Sequence, residues 1–288
     1  MIMSLFEKKI IDIYGTQGKD WIASLPDIIL SLAQKYNLSD LQPVSNMSFN
    51  YVAKGYKSNK AIVLKLGLDH EAYAREAECL RSFRGHSVPE VIASDIGMLL
   101  IEQAVPGNTL KEYFPNNDIK AVNIISKIIN NLHQAKMSKN NNFRKLKDVL
   151  KVLDTDLFIP NNILLKARAL RDQLLITSNK EVLLHGDLHH DNILKNATGW
   201  MAIDPKGYVG DPCFEVCPFI SNPIPELLDT DNPMDIIDNR SKLFAKNLNV
   251  TEQRIREWHF VQVVLGWAWC LEDGIAPDYF VRLVDLIE

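Results

Sequence analysis

The chain contains the run His185-Gly186-Asp187-Leu188-His189-His190-Asp191-Asn192, and a second acidic residue, Asp204, closes the apolar stretch Met201-Ala202-Ile203. Asp187 precedes Asn192 by five positions, and Asp204 follows Asn192 by twelve. Strand-like residues flank the loop, Val182-Leu183-Leu184 before it and Trp200 to Ile203 after it. A loop held this way can offer the Asp187 carboxylate to a substrate hydroxyl. It can also aim the Asn192 amide oxygen and the Asp204 carboxylate at a metal. Phosphoryl transfer from a magnesium nucleotide needs that set, because its catalysis is mostly positioning and charge neutralisation. Two plainer readings compete. His185, His189 and His190 are zinc-ligand types, but they lack the H-E-x-x-H helical spacing, and Gly186 and the flanking strands oppose a helix. An Asp- and Asn-rich turn that satisfies its own backbone accounts for Asp191 or Asn192, but not for Asp204.

Such chemistry requires elements upstream that hold the nucleotide. Ala61-Ile62-Val63-Leu64-Lys65-Leu66 reads as a β-branched apolar strand with one Lys near its end. Eleven residues on, Glu76 lies in a helical pattern over 71–83, on the apolar face with Ala72, Cys79, Leu80 and Phe83. A carboxylate on that face needs a partner; Lys65 would meet the α- and β-phosphates while Glu76 holds it. Glu71 and Glu78 compete with Glu76 for this role. Met98 to Glu102 is an apolar strand running into Pro106-Gly107, a turn signal. The H-x-D-x-x-x-x-N spacing resembles the protein-kinase catalytic loop, with Gly186 where those enzymes carry Arg, and the Lys65 strand resembles their V-A-I-K strand. In kinases an adenine bonds the backbone of a segment placed like the one after Met98, here at Glu102 C=O and Ala104 N–H.

More of the chain narrows this resemblance. Trp21-Ile22 with Leu25-Pro26, Leu64-Lys65, Leu183 to His189, Asn192, Ile203-Asp204-Pro205-Lys206, Gly210-Asp211-Pro212 and Trp269-Cys270-Leu271-Glu272-Asp273-Gly274 spread over nearly the whole length. Together they resemble the aminoglycoside phosphotransferases, and most closely the aminoglycoside/hydroxyurea antibiotic-resistance kinases. The resemblance implies an α+β, bilobal protein-kinase-like fold. Residues 1–104 would form a small nucleotide-binding lobe with an antiparallel sheet and a helical cap. Residues 105–288 would form a larger, mostly helical catalytic and substrate-binding lobe. It implies ATP or GTP as co-substrate with Mg²⁺ held by Asn192 and Asp204, Asp187 as the catalytic base, and a small-molecule acceptor. Two departures stand out. The segment Val44 to Asn50, where the nucleotide-covering loop belongs, contains no Gly, so phosphate contacts fall to Ser45 and Ser48. Asp204-Pro205-Lys206 replaces the Asp-Phe-Gly of protein kinases, which implies no Phe-flip switch and a constitutively active enzyme.

Composition fits a soluble enzyme. The chain has 288 residues, 47% of them hydrophobic, enough for a large core and two lobes. A net charge of −4 without a dense basic stripe opposes nucleic-acid binding. Cys79, Cys213, Cys217 and Cys270 show no C-x-x-C spacing and are expected as reduced thiols. No apolar run reaches the ~20 residues of a membrane span, and charges interrupt the N-terminus where a signal peptide would be apolar. A cytoplasmic monomer or weak dimer is expected.

Helical patterns near 4–14 and 20–36 precede a strand-rich segment from 41 to 66. Helices follow over 71–83, 121–137, 144–157, 162–175, 234–248, 251–271 and 277–287, and two strands lie around 89–104. Asn140-Asn141-Asn142 reads as a loop. For a cationic acceptor the pocket should be acidic; the resemblance points to Glu272 and Asp273, at the end of a helix whose tryptophans read as core. Asp211 and Glu215 read as caps and braces for the helix after the metal loop. Three further classes remain open: a kinase of another small alcohol, a non-catalytic kinase-like module, and a histidine-based metal hydrolase.

Overall fold

The structure is a computed structural model that describes residues 5–45, 47, 49–137 and 143–288. The triple-Asn loop 140–142, Asn46 and the phosphate candidate Ser48 lie outside the described residues. The chain divides into two compact units, Met1–Arg81 with Pro89–Gly107, and Ser82–Val88 with Asn108–Glu288.

The first unit is built on a five-stranded antiparallel sheet of order β1-β2-β3-β5-β4. Its strands are β1 (Leu38–Pro43), β2 (Tyr51–Lys57), β3 (Lys60–Leu66), β4 (Val91–Asp95) and β5 (Met98–Glu102). Helix α1 (Leu5–Tyr36) is broken at Gly15, whose φ of 57° and ψ of −130° no helix accommodates. The two halves coincide with the two helical patterns read from the sequence. Phe6, Ile10 and Leu25 of α1 pack on Ile62, Leu64, Leu66, Met98 and Leu100, forming the apolar core on one face of the sheet. The alternation of β3 puts Ile62, Leu64 and Leu66 on that face. Lys65, one residue out of phase, points to the other. Helix α2 (His70–Ser82) follows β3.

The second unit is mainly helical. Its helices are α3 (Asp118–Leu132), α4 (Leu146–Val149), α5 (Asn161–Ile176), α6 (Cys217–Ile220), α7 (Pro233–Leu248), α8 (Glu252–Glu272) and α9 (Asp278–Ile287). The central α8 buries Trp258, Val261, Val264, Leu265, Trp267 and Ala268, so Trp258 and Trp267 are core, as expected, whereas Trp269 is only half-buried. Among the described residues no helix is long and apolar enough to cross a membrane.

The helix expected over 144–157 does not form as one element. Arg144–Lys145 make a short strand, β6, parallel to β10 (Tyr208–Gly210); α4 gives one turn, and Leu150–Asp154 continue as a 3-10 helix. Leu146, Val149, Leu150 and Leu153 are all buried. Spacings of three among these residues fit a 3-10 turn as well as an α-helix, which is why the periodicity misled. Strand β10 also pairs antiparallel with β7 (Val182–Leu184), and β8 (Ile193–Lys195) forms a hairpin with β9 (Trp200–Ala202). These short strands carry the loop.

Candidate active site

In the first unit, Lys65 is flanked by Val52 on β2 and Leu99 on β5, and only 5% of it is exposed. Its Nζ donates to both oxygens of Glu76, at 2.7 and 2.9 Å. The competing Glu71 instead accepts from Arg75 on the surface. A two-oxygen grip fixes the ammonium of a side chain that otherwise has several rotamers, which is what a phosphate-binding Lys requires. At the end of β5, Glu102 N–H donates to Glu90 C=O at 2.9 Å and Gln103 N–H to Ala61 C=O at 3.1 Å. The next backbone donor along the chain is that of the buried Ala104. Ser45 is exposed, in the turn after β1.

In the second unit the loop after β7 is tied down from several sides. Its main anchor is Glu215, in the 3-10 helix Pro212–Val216 and fully buried. The Glu215 carboxylate accepts from His185 N–H at 2.8 Å and Gly186 N–H at 2.9 Å. His133 Nε2 lies 3.4 Å from the same carboxylate. Burial alone would raise the Glu215 pKa, but the hydrogen bond and charge of His133, and the Gly186 N–H, hold it below the usual carboxylate value. The sequence reading has Glu215 brace the helix after the metal loop; in the structure its carboxylate instead grips the backbone of the loop itself, at His185 and Gly186. Asp211 caps its 3-10 helix by accepting from Cys213 N–H at 2.9 Å, and it pairs with Arg254.

The three histidines diverge, which removes the zinc arrangement. His185 Nε2 donates to Ile203 C=O at 2.9 Å, while its Nδ1 accepts from Asp187 N–H at 3.3 Å, so the bonding pattern requires the Nε2–H tautomer. Burial lowers the His185 pKa, keeping the ring neutral. This imidazole links the backbone at Asp187 to the backbone just before Asp204. His190 is fully buried, stacked on Phe219 with ring centroids 3.9 Å apart. His189 Nε2 lies 3.9 Å from the Asp187 carboxylate. Among the described residues no three His, Cys, Asp or Glu side chains gather as metal ligands.

Gly186 has φ +80°, and a Cβ there would stand 2.7 Å from the Tyr208 ring, so this turn excludes the Arg of protein kinases on both counts. Past it, Asp187 C=O accepts from His189 N–H at 3.1 Å and from Asn192 Nδ2 at 2.9 Å. With its nitrogen so engaged, the Asn192 oxygen is the atom available to a cation. Ile203 N–H donates to Asn192 C=O at 2.9 Å, continuing the β8–β9 ladder, so Asn192 and Asp204 sit at the same end of that hairpin. Asp204 has φ +61°, a left-handed conformation that costs a non-glycine residue energy and is held by its surroundings. Magnesium prefers oxygen ligands and takes one or two protein groups plus substrate phosphates, so one amide oxygen and one carboxylate fit it.

An anchor under the loop has no counterpart in the sequence reading. Arg240 on α7 is fully buried and grips Asp118 of α3 at 2.9 and 2.6 Å. It also donates to the carbonyls of Phe219, Ile220 and Asn222, and lies 3.4 Å from His190 Nε2. The available signal was an Arg among Ile237, Ser241 and Phe244, a polar residue on an apolar helix face. Glu272 and Asp273, by contrast, lie exposed at the C-terminal end of α8, with no hydrogen bond or ion pair to this machinery among the described residues.

The fold is that of the protein-kinase-like small-molecule phosphotransferases. A crystal structure of a thermostable mutant of aminoglycoside phosphotransferase APH(4)-Ia, in ternary complex with ADP and hygromycin B, matches 92% of this chain and 98% of that one, with a TM-score of 0.65 and 15% identity. The chain itself belongs to the aminoglycoside/hydroxyurea antibiotic resistance kinase family, whose model matches residues 39–274. It is 24% identical to a streptomycin 6-kinase of Streptomyces glaucescens, over 91% of this chain and 88% of that relative. It is also 28% identical to a streptomycin 3''-kinase of Klebsiella pneumoniae, over 66% of this chain and 73% of that relative.

Proposed function

We propose that this protein transfers the γ-phosphoryl group of MgATP to a hydroxyl of a guanidinium-bearing aminoglycoside, with streptomycin the first candidate. The observation that carries the reading is the loop itself. A half-exposed Asp187 carboxylate is presented on a backbone fixed by Glu215, His185 and Asn192. Asp187 orients the acceptor hydroxyl and takes its proton; Asn192 Oδ1 and Asp204 hold Mg²⁺, which neutralises phosphate charge when bound. Lys65, kept in place by Glu76, binds the α- and β-phosphates. Glu102 C=O and Ala104 N–H bond the adenine, and Ser45 contacts phosphate oxygens, a role the sequence also offers to Ser48. In this reading residues 1–104 serve the nucleotide and 105–288 the acceptor, in a cytoplasmic enzyme acting as a monomer or weak dimer without nucleic acid or membrane.

The substrate rests on relatedness and on charge. Relatives of this chain carry streptomycin kinase names for two different positions, 6 and 3''. The exposed Glu272 and Asp273 add negative charge where the α8 carbonyls already concentrate it, a position carboxylates disfavour and a guanidinium suits. The test is a turnover assay with MgATP, MgGTP or chelated nucleotide against streptomycin, other aminoglycosides, hydroxyurea and neutral alcohols. Streptomycin turnover that requires Mg²⁺, with an acceptor KM that rises with salt, supports the reading. Turnover of a neutral alcohol alone refutes the substrate.

A further inference from the structure

Lys206, just past the loop, is a charged group to which the reading above gives no role. Lys206 follows Asp204 by two residues, and its Nζ lies 3.7 Å from Asp187 Oδ2 with 55% of the side chain exposed. Its backbone N–H donates to His185 C=O at 2.8 Å, and Gly207 N–H reaches the same carbonyl at 3.2 Å. The root of the side chain is therefore fixed to the stem of the Asp187 loop while its ammonium end stays movable.

We infer that Lys206 is a catalytic residue that moves from Asp187 to the transferring phosphoryl group and neutralises its equatorial oxygens. The inference rests on the reading of Asp187 as the base that orients the hydroxyl. In-line transfer brings the phosphorus next to that hydroxyl, so a cation already at the carboxylate is within a short swing of the phosphoryl oxygens. Among the described residues two side chains approach the Asp187 carboxylate: His189, whose Nε2 lies 3.9 Å away and whose Nδ1 accepts from Asp191 N–H at 3.4 Å, and Lys206. Lys206 carries the full charge. A partly exposed ion pair is weak, so Lys206 leaves Asp187 readily for a more highly charged phosphoryl. A lysine beside the acceptor site opposes ground-state binding of a polycationic substrate, and stabilising charge that builds up at transfer offsets that cost.

In the step, the acceptor oxygen forms the new O–P bond as the bond from the γ-phosphorus to the β,γ-bridging oxygen breaks. The hydroxyl proton passes to Asp187, the electron pair leaves with the nucleoside diphosphate, and Lys206 keeps its proton throughout.

The experiment compares wild type, Lys206→Gln and Lys206→Arg as full chains with matched melting temperatures. Two readouts are used: kcat and KM with MgATP and streptomycin, and affinity for MgADP with and without fluoroaluminate, a mimic of the transferring group. For Lys206→Gln we expect kcat to fall by ~10²–10³ with both KM values within about threefold. Lys206→Arg should stay within about tenfold of wild type, since a guanidinium also binds phosphoryl oxygens. Fluoroaluminate should tighten MgADP on wild type and fail to do so on the Gln variant. A Gln variant with near-normal kcat overturns the role, as does equal fluoroaluminate tightening in both proteins or none in wild type. A wild type that shows the tightening but leaves streptomycin untouched sinks the substrate reading alone.

Discussion

Replacing Glu215 by Gln removes one charge and alters one atom, and the structure sets how much that should cost. The carboxylate receives backbone N–H groups from His185 and Gly186 at 2.8 and 2.9 Å, in a site with no solvent exposure. Gln keeps one acceptor and turns an NH₂ toward the other backbone donor, leaving that N–H buried and unsatisfied. Loss of a charge-assisted hydrogen bond costs about 1.5–3 kcal/mol and the orphaned donor about 1–3. A destabilisation of about 4 kcal/mol should lower the melting temperature by roughly 8 °C in a chain of this size. The loop also loses its register. Because Asp187 follows Gly186 directly, a shift of about 1 Å at the carboxylate should lower turnover ~10²-fold. Thermal unfolding followed by circular dichroism, with steady-state kinetics on the same preparations, measures both. A Gln variant that melts within ~2 °C of wild type and turns over normally refutes the claim that this carboxylate holds the loop.

Asp187→Asn should lower turnover by ~10²–10⁴ with nucleotide affinity nearly intact; near-normal turnover by the folded variant removes Asp187 from the base role. Asp204→Gly and Asp204→Ala both delete the proposed metal ligand, but only Gly relieves the left-handed backbone. The Gly variant should therefore be the more stable by about 1 kcal/mol in chemical denaturation; equal stability argues against strain there. Glu76→Gln should weaken nucleotide binding while leaving acceptor KM unchanged, because its contact is with Lys65; an effect on the acceptor alone contradicts that assignment. Acid should destabilise the protein early. Burial is the main cause that lowers His190 to about 4 and His259 to about 3, whereas unfolded rings take a proton near 6.5. Between those values the unfolded chain binds more protons, so stability falls as pH falls, by ~2.7 kcal/mol per pH unit for the two rings together. Urea unfolding at several pH values from 6.5 to 4.5 measures this, and a flat profile contradicts it.

What the sequence revealed and what it hid differ in range along the chain. Asp187, Asn192 and Asp204 belong to one hairpin and its approach, so spacing alone grouped them. Lys65 and Glu76 are eleven residues apart on adjacent elements, and strand and helix periods put them on facing sides. Asp118 and Arg240 are 122 residues apart, and no local period relates α3 to α7. The reach of Glu215 back to the Gly186 backbone could not be read either, because its target is main chain, which every residue has. The segment 144–157 failed for another reason: an apolar pattern fixes which residues face inward but not whether the turn that presents them is α or 3-10. Glu272 and Asp273, proposed above to meet the acceptor, were the least legible part, since exposed carboxylates at a helix end look alike whether or not they meet a ligand.

The exposure of Glu272 and Asp273 also bears on how such a protein changes over generations. Side chains in water at the end of α8 contribute little to folding, so they can be exchanged with small stability loss. The loop around Asp187 is the opposite: its backbone is gripped by buried partners, and substitutions of those partners are expected to cost stability. Under the function proposed above, mutation at Glu272 and Asp273 could change the acceptor while the loop around Asp187 stays intact. A chain divided this way can keep one reaction and trade the drug it acts upon.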